Sequence, residues 1–256
     1  MKTLVTAIQK GGQGKTFATL HLAYDFQERG LNVAVIDLDS QGNASFTLSS
    51  YETGIVASQL FKDSTKKIRE AFGAKIKENS ISLIAADSEL ANLDKMDVAE
   101  AAKALRKSIE VLGEFFDVCL IDTAPSLGIA MTAAILSADY MLSPIEMEAY
   151  SLQGMKKMVA VVGNLRRQNP KLKFIGMLPN KVDARKPRHI KNLAIIREAY
   201  PQLVMPFSVG SRDSIAEAVG ELKKPVWKLG KTAARKAAQE VRAMTNFVFE
   251  KMELAK

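Results

Sequence analysis

The sequence predicts a doubly wound α/β fold built on a mostly parallel sheet, and three observations carry that expectation. Short apolar runs recur along the chain between turn-forming residues. Stretches with apolar residues at helical spacing separate these runs. The first run leads directly into a glycine-rich loop, KGGQGKT at residues 10–16. Strands that alternate with helices connect by right-handed crossovers, which puts helices on both faces of the sheet.

Taken in order, TLVTAI (3–8), NVAVID (32–37), ISLIAA (81–86), FDVCLID (116–122), YMLSPI (140–145) and KFIGMLPNKV (173–182) are expected as strands. Their near-continuous apolar character is that of strands covered on both faces. LVMPFSV (203–209) is expected to add a seventh. Phe17–Leu20–Tyr24 and Leu152–Met155–Val159–Val162 mark helices between them. The last helix repeats Ala234, Ala237, Val241, Met244, Val248 and Met252 on one stripe. On a sheet of this kind ligands sit at the carboxyl ends of the strands. Chemistry is therefore expected in the loops after residues 8, 37 and 122.

A chain of 256 residues, 47% hydrophobic and 25% charged, suits a single globular domain over 1–256. The apolar run before the glycine loop is too short for the core of a signal peptide, and no run approaches the ~18 residues of a membrane span. The single cysteine, Cys119, excludes an intramolecular disulfide and a cysteine metal cage. These features predict a reduced, soluble, cytoplasmic protein. The net charge of +8 divides unevenly. Residues 1–150 carry 14 Lys/Arg against 20 Asp/Glu, whereas residues 151–256 carry 22 against 8. One basic half points to a polyanionic partner for one face.

The opening loop follows a strand and precedes a helix, as a phosphate-binding loop does. Its glycines let backbone N–H groups turn toward phosphates, and the helix N-terminus adds partial positive charge. Lys15 is placed to reach the β- and γ-phosphates, and the Thr16 hydroxyl to ligate Mg²⁺. The second loop reads DLDSQGN (37–43), where Asp37 or Asp39 is placed to orient an attacking water. The third follows four apolar residues that end in Asp122, a strand-end carboxylate suited to holding Mg²⁺ through a water. Lys10 is a second ammonium beside a loop that needs only one for phosphate.

The set KGGQGKT, DLDSQGN and CLIDTAPSLG resembles the deviant-Walker P-loop ATPases of the MinD/ParA class, specifically ParA-type partition proteins. The similarity continues through LSPIEMEAYSLQGMKKM, NKVDARKPRH and PVWKLGKTAARKA, and is greatest to the short IncC-like ParA proteins of broad-host-range plasmids. The resemblance implies an ATP- and Mg²⁺-dependent homodimer that partitions plasmid DNA, binds double-stranded DNA without sequence preference and is stimulated by a ParB-type centromere-binding partner. It implies a nucleoid-associated bacterial protein. Residues Lys10, Gly11, Gly12, Gln13, Gly14, Lys15, Thr16 and Phe17 would then cradle the nucleotide, with Asn180 and Pro206 bordering the adenine. Lys10 would act in trans on the phosphates of the other subunit, comparable with an arginine finger. Lys15 and Asp39 join it as catalytic candidates, and Thr16 and Asp122 are the metal candidates.

Three positions depart from that family's pattern. Phe17 stands where a second hydroxyl residue is common, Ile8 where Asn is frequent, and Ser40 where Pro is frequent. They bear on affinity and turnover, and leave every charged group in place. DNA-contact candidates are Arg185, Lys186, Arg188, Lys191, Arg212, Lys228, Lys231, Arg235 and Lys236. Arg212 is chosen because it matches an arginine that the ParA family uses on DNA. The absence of interleaved aromatics favours duplex phosphate contact over base stacking.

The loop begins at residue 10, so no N-terminal helix-turn-helix domain is expected. A rival reading is a MinD-like membrane-associated positioning ATPase, which calls for a final helix with a basic polar face. Residues 240–256 carry three acidic and three basic groups, which favours packing on the core and no membrane partner. A metabolic P-loop ligase is a third reading. Cys119 is expected as a small buried hydrophobe, His21 as a packed or capping side chain, and His189 as a neutral surface residue.

Overall fold

Strands covered on both faces lie at the centre of the molecule, and their order fixes where the loops meet. The computed structural model describes residues 1–62, 64–73, 78–148 and 151–254, the side chains of 151–155, 157 and 158 excepted. Its strands are β1 (Lys2–Thr6), β2 (Val33–Leu38), β3 (Glu52–Val56), β4 (Ile81–Ala85), β5 (Val118–Thr123), β6 (Tyr140–Glu146) and β7 (Lys173–Asn180). They form one sheet in the order β3-β4-β2-β5-β1-β6-β7. All six pairings are parallel.

The helices are α1 (Lys15–Glu28), α2 (Asn43–Thr47), α3 (Thr65–Phe72), α4 (Val98–Leu112), α5 (Ile129–Ser137), α6 (Ser151–Gln168), α7 (Pro187–Ala199), α8 (Asp213–Ala216) and α9 (Arg235–Lys251). Successive strand residues point to opposite faces. Leu4, Val33, Val35, Val118 and Leu120 therefore pack under α1 and α9. Val5, Ala34, Ile36, Cys119 and Ile121 pack with residues of α3, α4, α5, α6 and α7. Every apolar residue read on the last helical stripe is buried, from Ala234 at 1% exposure to Met252 at 0%. Of the other expected stripe, Val162 is buried and Val159 half-buried, while the Leu152 and Met155 side chains lie outside the described residues.

One expected strand is corrected. The seventh strand is the edge strand β3, not 203–209. Pro206 has no N–H to give a ladder, and the 203–209 segment makes only isolated bridges beside β7, at Met177–Val204 and Val182–Gly210. In β3, Glu52, Thr53 and Gly54 interrupt the apolar run that would have marked it, and Gly54 sits at φ +82° beside a register shift. Among the described residues no helix is long and apolar enough to cross a membrane.

The order places β1 between β5 and β6, with β2 on the far side of β5. The loops leaving β1, β2 and β5 thus open beside one another at one end of the sheet. That is the switch point at which such folds bind ligands.

Candidate active site

The loop between β1 and α1 has a shape that only glycine permits at two points. Gly12 has φ +74° and Gly14 φ +100°, both left-handed. A Cβ on Gly14 would also stand 2.1 Å from Asn180 Nδ2. Helix α1 begins at Lys15 with no side-chain cap and no acidic residue in its first turn. Its first N–H groups are therefore left for an anion. Lys15 is 6% exposed, and burial draws its pKa down against the pull of Asp122 and Asp39. A buried ammonium within the field of two carboxylates is a ready partner for a phosphate.

Behind the loop, Asp37 and Asp122 face one another in register across β2 and β5. Thr16 Oγ1 donates to Asp122 Oδ2 at 2.6 Å, and the buried Oδ1 has no hydrogen-bond partner. Burial, reinforced by the charge of Asp37, pushes the Asp122 carboxyl up to about 8. Asp37 accepts from Asp39 N, Ser45 N and Ser45 Oγ, so it braces the loop after β2. Burial raises its pKa as well, against those bonds. Asp39 spends Oδ1 on Gln41 N at 3.0 Å and lies at the rim, 8% exposed. Between the two candidates for water positioning, Asp39 has the accessible oxygen and Asp37 is occupied.

The donor set fits Mg²⁺. A hydroxyl and an orphaned carboxylate oxygen are hard ligands, and Mg²⁺ ordinarily takes one or two carboxylates with the rest of its shell from water and phosphate. Among the described residues no cluster of three or more His, Cys, Asp or Glu could hold a metal by itself. Thr16 and Asp122 would therefore act together with a nucleotide.

Three neighbours brace the loop from β6 and β7. Asn180 Nδ2 donates to Gln13 O at 2.7 Å, Glu146 N to Gln13 Oε1 at 2.8 Å, and Lys181 Nζ to Gly12 O at 2.5 Å. Asn180, expected beside the adenine, holds the loop here. Glu146 and Lys181 were not legible in the sequence, because their part depends on how β6 and β7 approach the loop. Gly11 lies under Pro125. Lys10 is exposed at the rim, and the half-buried Phe17 meets His21 in a tilted ring contact with centroids 4.8 Å apart. Pro206 is exposed on the 203–209 segment, with its carbonyl taken by Arg197 Nη2 at 2.9 Å.

His21 is held neutral inside the protein. Its Nε2 accepts from Val226 N at 3.2 Å, which leaves the Nδ1 hydrogen for Phe17 O at 2.9 Å. Burial lowers its pKa to about 4. His189 is not the surface residue expected. It is 3% exposed, with Nδ1 accepting from Asp183 N and Nε2 set 3.3 Å from Glu148 Oε1. Cys119 is fully buried, as expected.

Three of the basic segments are linked by hydrogen bonds, whereas Lys228 stands at the far end of α1 beside Glu28. Val182 N donates to Val209 O, Ser211 N to Val182 O, and Gly210 N to Glu240 Oε2 on α9. This joins the start of α7, the Arg212 segment and the start of α9. Five of the nine candidates are already ion-paired: Arg185 with Asp183, Arg188 with Glu148, Arg212 with Glu240, Lys228 with Glu28 and Lys231 with Glu217. Lys186, Lys191, Arg235 and Lys236 are exposed and carry no ion pair among the described residues.

A strand, a glycine loop that ends in Lys-Thr and the helix these residues open, backed by carboxylates at neighbouring strand ends, define a P-loop nucleoside triphosphatase. Residues 1–174 match a family model described as an AAA domain. The chain is 73% identical over 255 residues to a protein IncC of Escherichia coli, covering 100% of this chain and 71% of that protein. It is 29% identical over 187 residues to the chromosome-partitioning ATPase Soj of Thermus thermophilus, covering 72% of this chain and 71% of that one. The chain belongs to the ParA-type family of plasmid and chromosome partition ATPases. Its fold is similar to that of Cyanothece McdA in a complex with ATP, with a TM-score of 0.81 at 24% identity over 97% of this chain and 96% of that one.

Proposed function

We propose that this partition ATPase works as an ATP- and Mg²⁺-dependent homodimer over residues 1–256, and that it binds double-stranded DNA non-specifically at the bacterial nucleoid. The Lys15–Thr16–Asp122 arrangement supports the ATP and Mg²⁺ part of this most directly, since it brings together a phosphate cation, a metal ligand and an orphaned carboxylate oxygen.

Mg²⁺ bound with the nucleotide would supply neutralisation of the charge between β- and γ-phosphates. The protein's own part is binding and orientation. N–H groups of residues 11–16 and the Lys15 ammonium hold the phosphates. The Thr16 hydroxyl and Asp122 would hold the metal. Asp39, with one oxygen fixed by Gln41 N, orients the attacking water. Lys10, exposed at the rim, reaches a second subunit's nucleotide, so each subunit completes the other's site.

Lys186, Lys191, Arg235 and Lys236 form the primary DNA surface, since their charge is not spent on internal carboxylates. Arg212 and the other paired cations contribute after exchanging a carboxylate for a phosphate. Dimerisation doubles the surface, which makes DNA binding follow ATP. A ParB-type centromere-binding protein stimulates turnover. The MinD-like alternative is disfavoured because α9 buries the stripe of Ala237, Val241, Met244 and Val248 in the core. Co-sedimentation with plasmid DNA and with anionic liposomes, each with ATP, tests this. DNA should carry the protein down and liposomes should not; the reverse would replace the proposal by its rival.

A further inference from the structure

Resting on the assignment of residues 10–16 as a phosphate loop, we propose that Lys181 is a positioning residue, latching that loop in its phosphate-binding shape together with Glu146. The Lys181 ammonium lies 2.5 Å from Gly12 O and 2.8 Å from Glu146 Oε1. The next carbonyl, Gln13 O, is taken by Asn180 Nδ2 at 2.7 Å. Two consecutive loop carbonyls are thus drawn outward toward the ends of β6 and β7.

A planar trans peptide points its C=O and the following N–H in opposite directions. Drawing the Gly12 and Gln13 carbonyls outward therefore turns the N–H groups of Gln13 and Gly14 inward. Inward-facing N–H groups are what a phosphate cradle requires. Without the latch, Gly12 at φ +74° is free to rotate, because glycine populates many conformations at little cost. Fixing the loop before the nucleotide arrives removes an ordering cost from binding.

The backbone of Lys181 points the same way. Its φ is +52°, in the left-handed region that is unfavourable for a side-chain-bearing residue. A glycine would sit there without strain. The lysine is kept in an unfavourable conformation at the end of β7, and its side chain is what reaches the loop.

Substitution by glycine separates the two effects. Lys181→Gly removes the ammonium and relieves the backbone, whereas Lys181→Arg keeps charge and reach. Binding of fluorescent ATP and ADP analogues would be titrated for both, for Lys15→Ala and for the unaltered chain, with adenosine binding followed by NMR and unfolding by calorimetry. Lys181→Gly should unfold at an equal or higher temperature, yet bind ATP and ADP about tenfold more weakly, with adenosine unchanged. Lys181→Arg should recover most of the loss. Loss for ATP in Lys15→Ala with none in Lys181→Gly would overturn the latch alone. An equal loss for adenosine and ATP would do the same, by moving Lys181 to the base. Equal ATP affinity in Lys15→Ala and the unaltered chain would overturn the loop assignment and the latch with it.

Discussion

Thr16 and Asp122 are joined side chain to side chain, Oγ1 to Oδ2 at 2.6 Å, at the meeting of α1 and β5. The bond holds the hydroxyl where a metal would stand, and it leaves Asp122 Oδ1 buried without a partner. An enclosed carboxylate is costly to keep charged, and burial together with the Asp37 charge outweighs the Thr16 bond and the Lys15 ammonium, so this one is pushed up to about 8. Asp122→Asn should keep the shape and the bond while removing the charge. Melting curves at pH 8 should show the nucleotide-free variant at least as stable as the parent. Its Mg²⁺ requirement for ATP turnover should rise about tenfold or more, read by titrating Mg²⁺ at fixed ATP.

The two loop lysines should fail differently. Lys15 is buried against its own subunit's carboxylates, and Lys10 is exposed at the rim. Lys15→Ala should weaken ATP binding sharply, by more than tenfold. Lys10→Ala should bind ATP nearly as the parent does and lose dimerisation or turnover. Calorimetric titration with analytical ultracentrifugation reads both, and equal affinity losses would contradict a trans role.

In its proposed role Asp39 acts on water and not on the ground-state nucleotide, so its loss should lower turnover with little change in affinity. Asp39→Ala should accumulate as an ATP-bound dimer, visible by crosslinking. A monomeric variant in saturating ATP would remove Asp39 from this role.

His21 gives a pH dependence of stability. Burial first of all lowers its folded pKa to about 4, against 6.5 in the unfolded chain. Between these values the unfolded state binds the extra proton, so stability is present above pH 6.5 and is lost as pH falls toward 4. The limit is about 3 kcal/mol for this group. Urea unfolding at pH 7 and pH 5 should show the drop, and His21→Gln should flatten it over that window.

The centre of the sheet was legible because strands covered on both faces leave unbroken apolar runs. The edge strand β3 was not, since Glu52 and Thr53 answer to solvent and Gly54 to a bulge. Composition alone made 203–209 resemble a strand, until Pro206 removed a donor. Asp39 and Asp122 stand out because they lie at or next to a strand end, and Lys15 and Thr16 because they open α1 directly after the glycine loop, all within short local patterns. Lys181 and Glu146 reach the loop only through tertiary approach, over 169 residues in the case of Lys181 and Gly12. The neutralisation of Arg212 by Glu240 is equally invisible along the chain, and it moves the proposed DNA surface toward the unpaired cations.

Binding to plain duplex DNA in ATP, in ADP and without nucleotide tests the central claim most directly, with dimerisation followed alongside. The protein should bind firmly only in ATP, in step with dimer formation. A dimer that neutralises ~4–6 phosphates should show log K falling with log salt at a slope of roughly −4 to −5, a loss of ~10²–10³ between 50 and 200 mM salt. Lys236→Ala should flatten that slope by about 2, one contact per subunit, on every sequence alike. Equal DNA affinity in all three nucleotide states, or no response to salt, would contradict the account.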